Sequence, residues 1–164
     1  MRVLGIDPGL ERVGWGVVDR DGSRLIHVAH GLISSKPGDL GGRLQQIHRE
    51  MGELISMYQP DRVAVERLLF TKNVTTAMDV AKAFGCILLA VADAGLDVQE
   101  LSPPEVKKAV VGTGRAEKKQ MQFMVTKLLS LTQTPKPDDV ADALGIALAG
   151  LLISPSVLNL ERRG

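Results

Sequence analysis

MRVLGIDPGLERVGWGVVDRDGSRLIHVAHGLIS, residues 1–34, alternates in the two-residue period of β-strands and is broken twice by turn chemistry. RVLGID at 2–7 reads as a short buried strand, RVGWGVVD at 12–19 as a second and SRLIHVAHGLIS at 23–34 as a third. DRDG at 19–22 is a tight hairpin turn, with Gly22 where a positive φ is wanted. The chain therefore opens as an antiparallel meander.

From residue 39 the period changes. Leu40, Leu44, Ile47, Met51, Leu54 and Ile55 share one stripe of a helix over about 39–58, and Pro60 follows its end. DRVAVE at 61–66 is a fourth strand, 67–73 a loop, and 74–95 a long helix ending at Gly95. Met78, Ala81, Gly85, Leu88 and Val91 mark one face of that helix, widened by Val80, Phe84 and Ile87. Such a face is broad enough to meet a sheet on one side and a partner subunit on the other. DVQEL at 97–101 is a fifth strand, Pro103 and Pro104 open a short helix, and GTGR at 112–115 is a loop. Helices over 116–131 and 138–153 are separated by TPKP. The order β-β-β-α-β-α-β-α-α-α describes a mixed five-stranded sheet, three strands antiparallel and then two parallel, with helices on both faces. That is the α/β, ribonuclease-H-like arrangement. Its crossovers set strand 1 beside strand 4, so Asp7 and Glu66 end neighbouring strands at one edge of the sheet, where open α/β sheets build their sites. One domain over 1–154 with a tail at 155–164 is expected.

The chain has 164 residues, 45% of them hydrophobic and 24% charged, ordinary for a globular domain with a sizeable core. No apolar run is long enough to cross a membrane, and MRVLGIDPG lacks a signal-peptide layout. A single cysteine, Cys86, excludes an internal disulfide and fits a reducing cytoplasm; its apolar neighbours make it a core residue. His27, His30 and His48 show no ligand spacing with one another. The net charge is only +1, but residues 105–127 set Lys107, Lys108, Arg115, Lys118, Lys119 and Lys127 against Glu105 and Glu117, a net +4. A locally basic segment beside an acidic cluster suits a nuclease; a solvated helix face is the plainer alternative.

Asp7 ends a strand in I-D-P-G, where a turn aspartate bonding its own backbone is the ordinary reading. Gly9 would let backbone approach a ligand closely. Glu66 ends an apolar strand and would otherwise simply emerge into solvent. Asp138, just after Pro137, is the best candidate for capping the last helix. Asp139 and Asp142, three apart, then share a helix face beside Val140, Ala141 and Leu144; the pair Asp138 and Asp142 is the alternative. Carboxylates gathered at one place repel, and hard divalent cations that choose oxygen ligands would favour the gathering. Metal-assisted phosphodiester hydrolysis is thus the leading function. Lys107 and Lys118 could hold phosphates, with surface solvation the plainer alternative, and an aromatic in the loop after Glu66, Phe70, could stack on an unpaired base or equally make a satellite core contact. An ATPase fragment of the actin and sugar-kinase type, a non-catalytic junction-binding scaffold, and a nuclease acting on RNA or other branched DNA are the rivals.

GIDPGLERVGWGVV, VAVE followed by TKN, VKKAVVGTGRAEKKQM and DDVADALGIA, in this order and spacing, resemble the RuvC-type crossover junction endodeoxyribonucleases over essentially the whole chain. The resemblance implies a homodimer that binds four-way (Holliday) DNA junctions in recombination and repair. It implies paired Mg²⁺-dependent nicks in strands of like polarity, leaving 5′-phosphates and 3′-hydroxyls, and action with RuvA and RuvB. It places the acidic quartet on Asp7, Glu66, Asp139 and Asp142, expected to hold two Mg²⁺ ions with Mn²⁺ able to substitute. It places basic phosphate contacts on Lys107 and Lys118, with Arg115 and Lys119 beside them in the same segment. Some relatives carry phenylalanine at the position of Leu69; here it falls one residue later, so either Leu69 or Phe70 would meet the junction bases.

Overall fold

A computed structural model describes residues 1–68 and 74–153. Its elements are β1 (Arg2–Asp7), β2 (Arg12–Asp21), β3 (Arg24–Ser34), α1 (Leu40–Tyr58), β4 (Arg62–Glu66), α2 (Val74–Asp93), β5 (Val98–Leu101), α3 (Pro103–Val111), α4 (Lys118–Leu128) and α5 (Asp138–Leu152). The sheet order is β3-β2-β1-β4-β5, antiparallel from β3 to β1 and parallel from β1 to β5, the ribonuclease-H-like arrangement. The hairpin turns on Gly22, at φ 60°.

Alternation along the strands divides the core into two layers. Val3, Val18, Ala64 and Leu101 face α3, α4 and α5. Leu4, Ile6, Val13, Val17, Val63 and Val65 face α1 and α2. Helix α5 is the buried pillar of the first layer: Val140, Ala141 and every residue of Ala143–Leu151 are buried. It lies unusually close to β1 and β2. A Cβ at Gly5 would run into Ala143 O and lie 2.8 Å from Ala147 Cα; at Gly14 it would run into Asp139 O; at Gly16 it would lie 2.7 Å from Leu144 Cδ2. Gly5 and Gly14 let helix backbone rest on strand backbone, and Gly16 makes room for the Leu144 side chain. The far end of α5 is held by side chains: Arg20 Nη1 donates to Leu151 O (3.3 Å), and the buried Gln99 donates through Nε2 to Ile153 O (3.3 Å).

Two expectations change. The face of α2 that enters the core is Ala83, Ile87, Ala90 and Val91, whereas Met78, Ala81 and Gly85 are exposed. Both sides of this helix are apolar, so its periodicity does not say which side is inside. Asp138 does not cap α5: Pro137 holds the N-cap position, with no side-chain cap hydrogen bond. His27 and His30 form a hydrogen-bonded pair rather than a ligand set, Nε2 to Nδ1 at 2.7 Å, in the part of β3 where the register to β2 shifts between Val17 and Val18. That bulge brings residues three apart onto one face. Cys86 is partly buried against the α1–α2 layer, as expected.

Helix α1 does have a side-chain cap. Asp39 Oδ2 accepts from Gly42 N at 3.0 Å. Asp39→Ala should cost about 1 kcal/mol, read as a lower urea midpoint with an unchanged slope.

Candidate active site

Asp7 is the last residue of β1 and pairs across with Gly14 of β2. Ile6 pairs in parallel with Val65, so Asp7 and Glu66 stand one step further on, side by side at the ends of β1 and β4. The close seat of α5 on Gly14 brings Asp139, and one turn later Asp142, over the same edge. Four carboxylates from three separate elements therefore converge. Their electrostatics report it. Asp7 is pushed up to about 7, first by burial and then by the charges of Asp142, Glu66 and Asp139, against a weaker opposing pull from Lys118. Burial followed by Asp142 raises Glu66, with Lys107 opposing. Asp142 is also raised, by burial above all, with Lys118 opposing.

Cations of the protein stand among these acids. Lys118 Nζ lies 2.9 Å from Asp138 Oδ2 and 3.6 Å from Asp142 Oδ2, and Asp138 Oδ1 accepts from Gln122 Nε2 at 3.0 Å. The first of these bonds is the main reason that the Lys118 ammonium is held above its ordinary range. Asp138 thus anchors Lys118 and ties α4 to the start of α5. Arg12 Nε lies 3.3 Å from Asp139 Oδ2. Among the described residues, no three histidine, cysteine or carboxylate side chains close into a tight ligand set. The donor set still fits hard divalent cations: it is oxygen-only, anionic and partly desolvated, and its own charges oppose full ionisation.

Lys107 of α3 acts on Glu66 electrostatically, so both expected lysines border the cluster. Arg115 and Lys119 are exposed, and neither exerts a resolved effect on these carboxylates. Leu69 and Phe70 lie outside the described residues. Gly9 serves its own loop, since a Cβ there would run into Arg12 O. Sequence reading missed Arg12. The signal was register: it lies two residues before Gly14, the partner of Asp7.

Residues 3–150 match the family described as "Crossover junction endodeoxyribonuclease RuvC". The chain belongs to the RuvC family. A relative of that description from Brevibacillus brevis is 54% identical over 149 residues, covering 90% of this chain and 90% of the relative. One from Heliobacterium modesticaldum is 50% identical, covering 90% of this chain and 92% of its own. The solved structure "T. thermophilus RuvC in complex with Holliday junction substrate" superposes with a TM-score of 0.88 at 34% identity, covering 93% of each chain. This RuvC-family chain therefore carries the fold of its relatives over nearly its whole length.

Proposed function

We propose that this chain is a structure-specific endonuclease that resolves four-way DNA junctions by metal-dependent, paired nicks in strands of like polarity. The observation that carries the reading is the convergence of Asp7, Glu66, Asp139 and Asp142 on one sheet edge, bordered by Lys107 and Lys118. The products would be 5′-phosphates and 3′-hydroxyls. The four carboxylates would hold two Mg²⁺ ions, with Mn²⁺ able to substitute, which supply a nucleophilic water at neutral pH and charge neutralisation at the phosphate. The chain's own residues do the rest. Asp7, at about 7, keeps its carboxyl poised between protonation states until cations arrive. Lys107 and Lys118 hold strand phosphates without reading sequence. Asp138 keeps the Lys118 ammonium at the rim of the cluster.

Two cuts on a two-fold symmetric junction call for two sites related by a two-fold axis. The exposed apolar side of α2, with Met78 54% and Leu89 55% accessible beside Ala81 and Gly85, is the surface for a homodimer. RuvA and RuvB are the partners that family membership supports. No helix among the described residues is long and apolar enough to cross a membrane, and a DNA substrate supports a cytoplasmic location.

The test is cleavage of a synthetic four-way junction beside linear duplex of the same sequence, with Mg²⁺, with Mn²⁺ and with chelator. Paired nicks in the junction alone, lost with chelator, are expected. Binding without cutting under either metal would overturn the nuclease reading in favour of a scaffold.

A further inference from the structure

Lys107 and Lys118 stand on α3 and α4, helices of the layer built around α5. On the other side of the sheet edge a groove of about 370 Å³ opens from the same carboxylates, since Asp139 lines it together with Gly9, Leu10, Arg12, Arg43 and Val80. Arg43 belongs to α1 and Val80 to α2, the opposite layer. Both guanidiniums are set in place. Arg43 Nε donates to Ser35 Oγ at 3.0 Å, and that hydroxyl donates to Leu10 O at 2.5 Å while Ser35 N donates to Glu11 O at 3.1 Å. Among the described residues no carboxylate pairs with Arg43. Arg12, whose side chain is 56% accessible, reaches Asp139 through Nε. Two acids also line the groove: Asp79, whose charge is met by Lys82 at 3.0 Å, and Glu11, which is exposed. With Lys82 counted, the cations around the groove balance Glu11, Asp79 and Asp139, and cations bound by the carboxylates would cancel the negative charge of the cluster beside it.

We propose that Arg12 and Arg43 form a second phosphate-binding wall, so that the strand to be cut crosses the carboxylates between Lys107 and Lys118 on one side and these two arginines on the other. The inference rests on the junction-nuclease reading and adds where the scissile strand lies. The ligand is a backbone phosphodiester a short step from the scissile one. Guanidinium presents a planar fork of donors that matches two phosphate oxygens, and a locked arginine loses little entropy on making that contact. Such a contact orients the strand and carries no sequence information.

The experiment uses the full chain with Asp7→Asn, which should bind without cutting, and measures four-way junction affinity against salt concentration. Adding Arg43→Gln should lower the salt slope by about 1, the value of one phosphate contact, and Arg43→Lys should restore it. Neutral methylphosphonate linkages placed singly along the cut strand should reveal one position that weakens the parent several-fold and leaves the Arg43→Gln protein unaffected. If Arg43→Gln lowers the thermal midpoint, Arg12→Gln, which is not tied to backbone, carries the same two readouts. Variants that keep the parent's slope and respond to every neutral linkage as the parent does would overturn the second wall alone. A parent that does not prefer the four-way junction to linear duplex would instead overturn the reading on which it rests.

Discussion

Asp7→Asn is expected to abolish junction cleavage, by at least about 10³-fold, while junction affinity stays within a few-fold of wild type. Asparagine keeps the shape but removes charge from the centre of the cluster, and metal-borne charge stabilisation is worth several kcal/mol of barrier. The phosphate contacts are on other residues. A second readout separates this role from a structural one. Asp7 binds its proton more tightly in the folded chain, with a pKa of about 7 against an ordinary 3.8. In chelator its contribution to stability is therefore most favourable below the lower value, declines as pH rises toward the upper one, and is least favourable beyond it. Asparagine resembles the protonated acid, so Asp7→Asn should match wild type at low pH and exceed it at pH 8. A gain of about 2 kcal/mol would raise the thermal midpoint by about 5 °C. Saturating Mg²⁺ should reverse the order, because only the wild type binds the ion well and gains stability from it. Normal cleavage by the variant would refute the assignment; a pH-independent difference in midpoint would refute the electrostatic account.

Gly5→Ala is expected to be among the most damaging single-methyl changes. Gly5 sits in the middle of β1, opposite Gly16 of β2, and its missing Cβ is the space in which Ala143 and Ala147 of α5 lie. The obstructing atoms are backbone, so no rotamer change relieves the clash. Overpacking ordinarily costs about 1–3 kcal/mol, and a clash with helix backbone belongs at or above the top of that range. A fall in thermal midpoint of about 10 °C follows. Activity should fall as well, even where the variant is folded, because lifting α5 carries Asp139 and Asp142 away from Asp7 and Glu66. A variant with normal stability would show that α5 can retreat without cost, contrary to the close seat described above.

Much of this was legible in the chain. Alternating apolar residues wrote the five strands, and the change to helical period after residue 39 separated the meander from the crossovers. Because parallel strands need crossovers, element order alone put β1 beside β4 and Asp7 beside Glu66. The approach of Asp139 and Asp142 was half legible: the helix could be read, but its distance from the sheet depends on Gly5, Gly14 and Gly16 aligning across two strands. The exposed side of α2 was not legible at all, since both of its sides are apolar and only α1 and the sheet select one.

The sequence by itself determined the order and type of the elements, the sheet edge at which the site forms, and the family, because hydrophobic period and ordered motifs are local properties of the chain. Tertiary structure alone decided which acid each cation meets. Asp138 looked like a cap and became the anchor of Lys118; Arg12 looked like the start of a strand and became the partner of Asp139; Arg43, on an amphipathic helix, became part of the groove beside them. Electrostatic partnership depends on distance through space, and these partners lie on separate elements that meet only when α5 settles on the sheet.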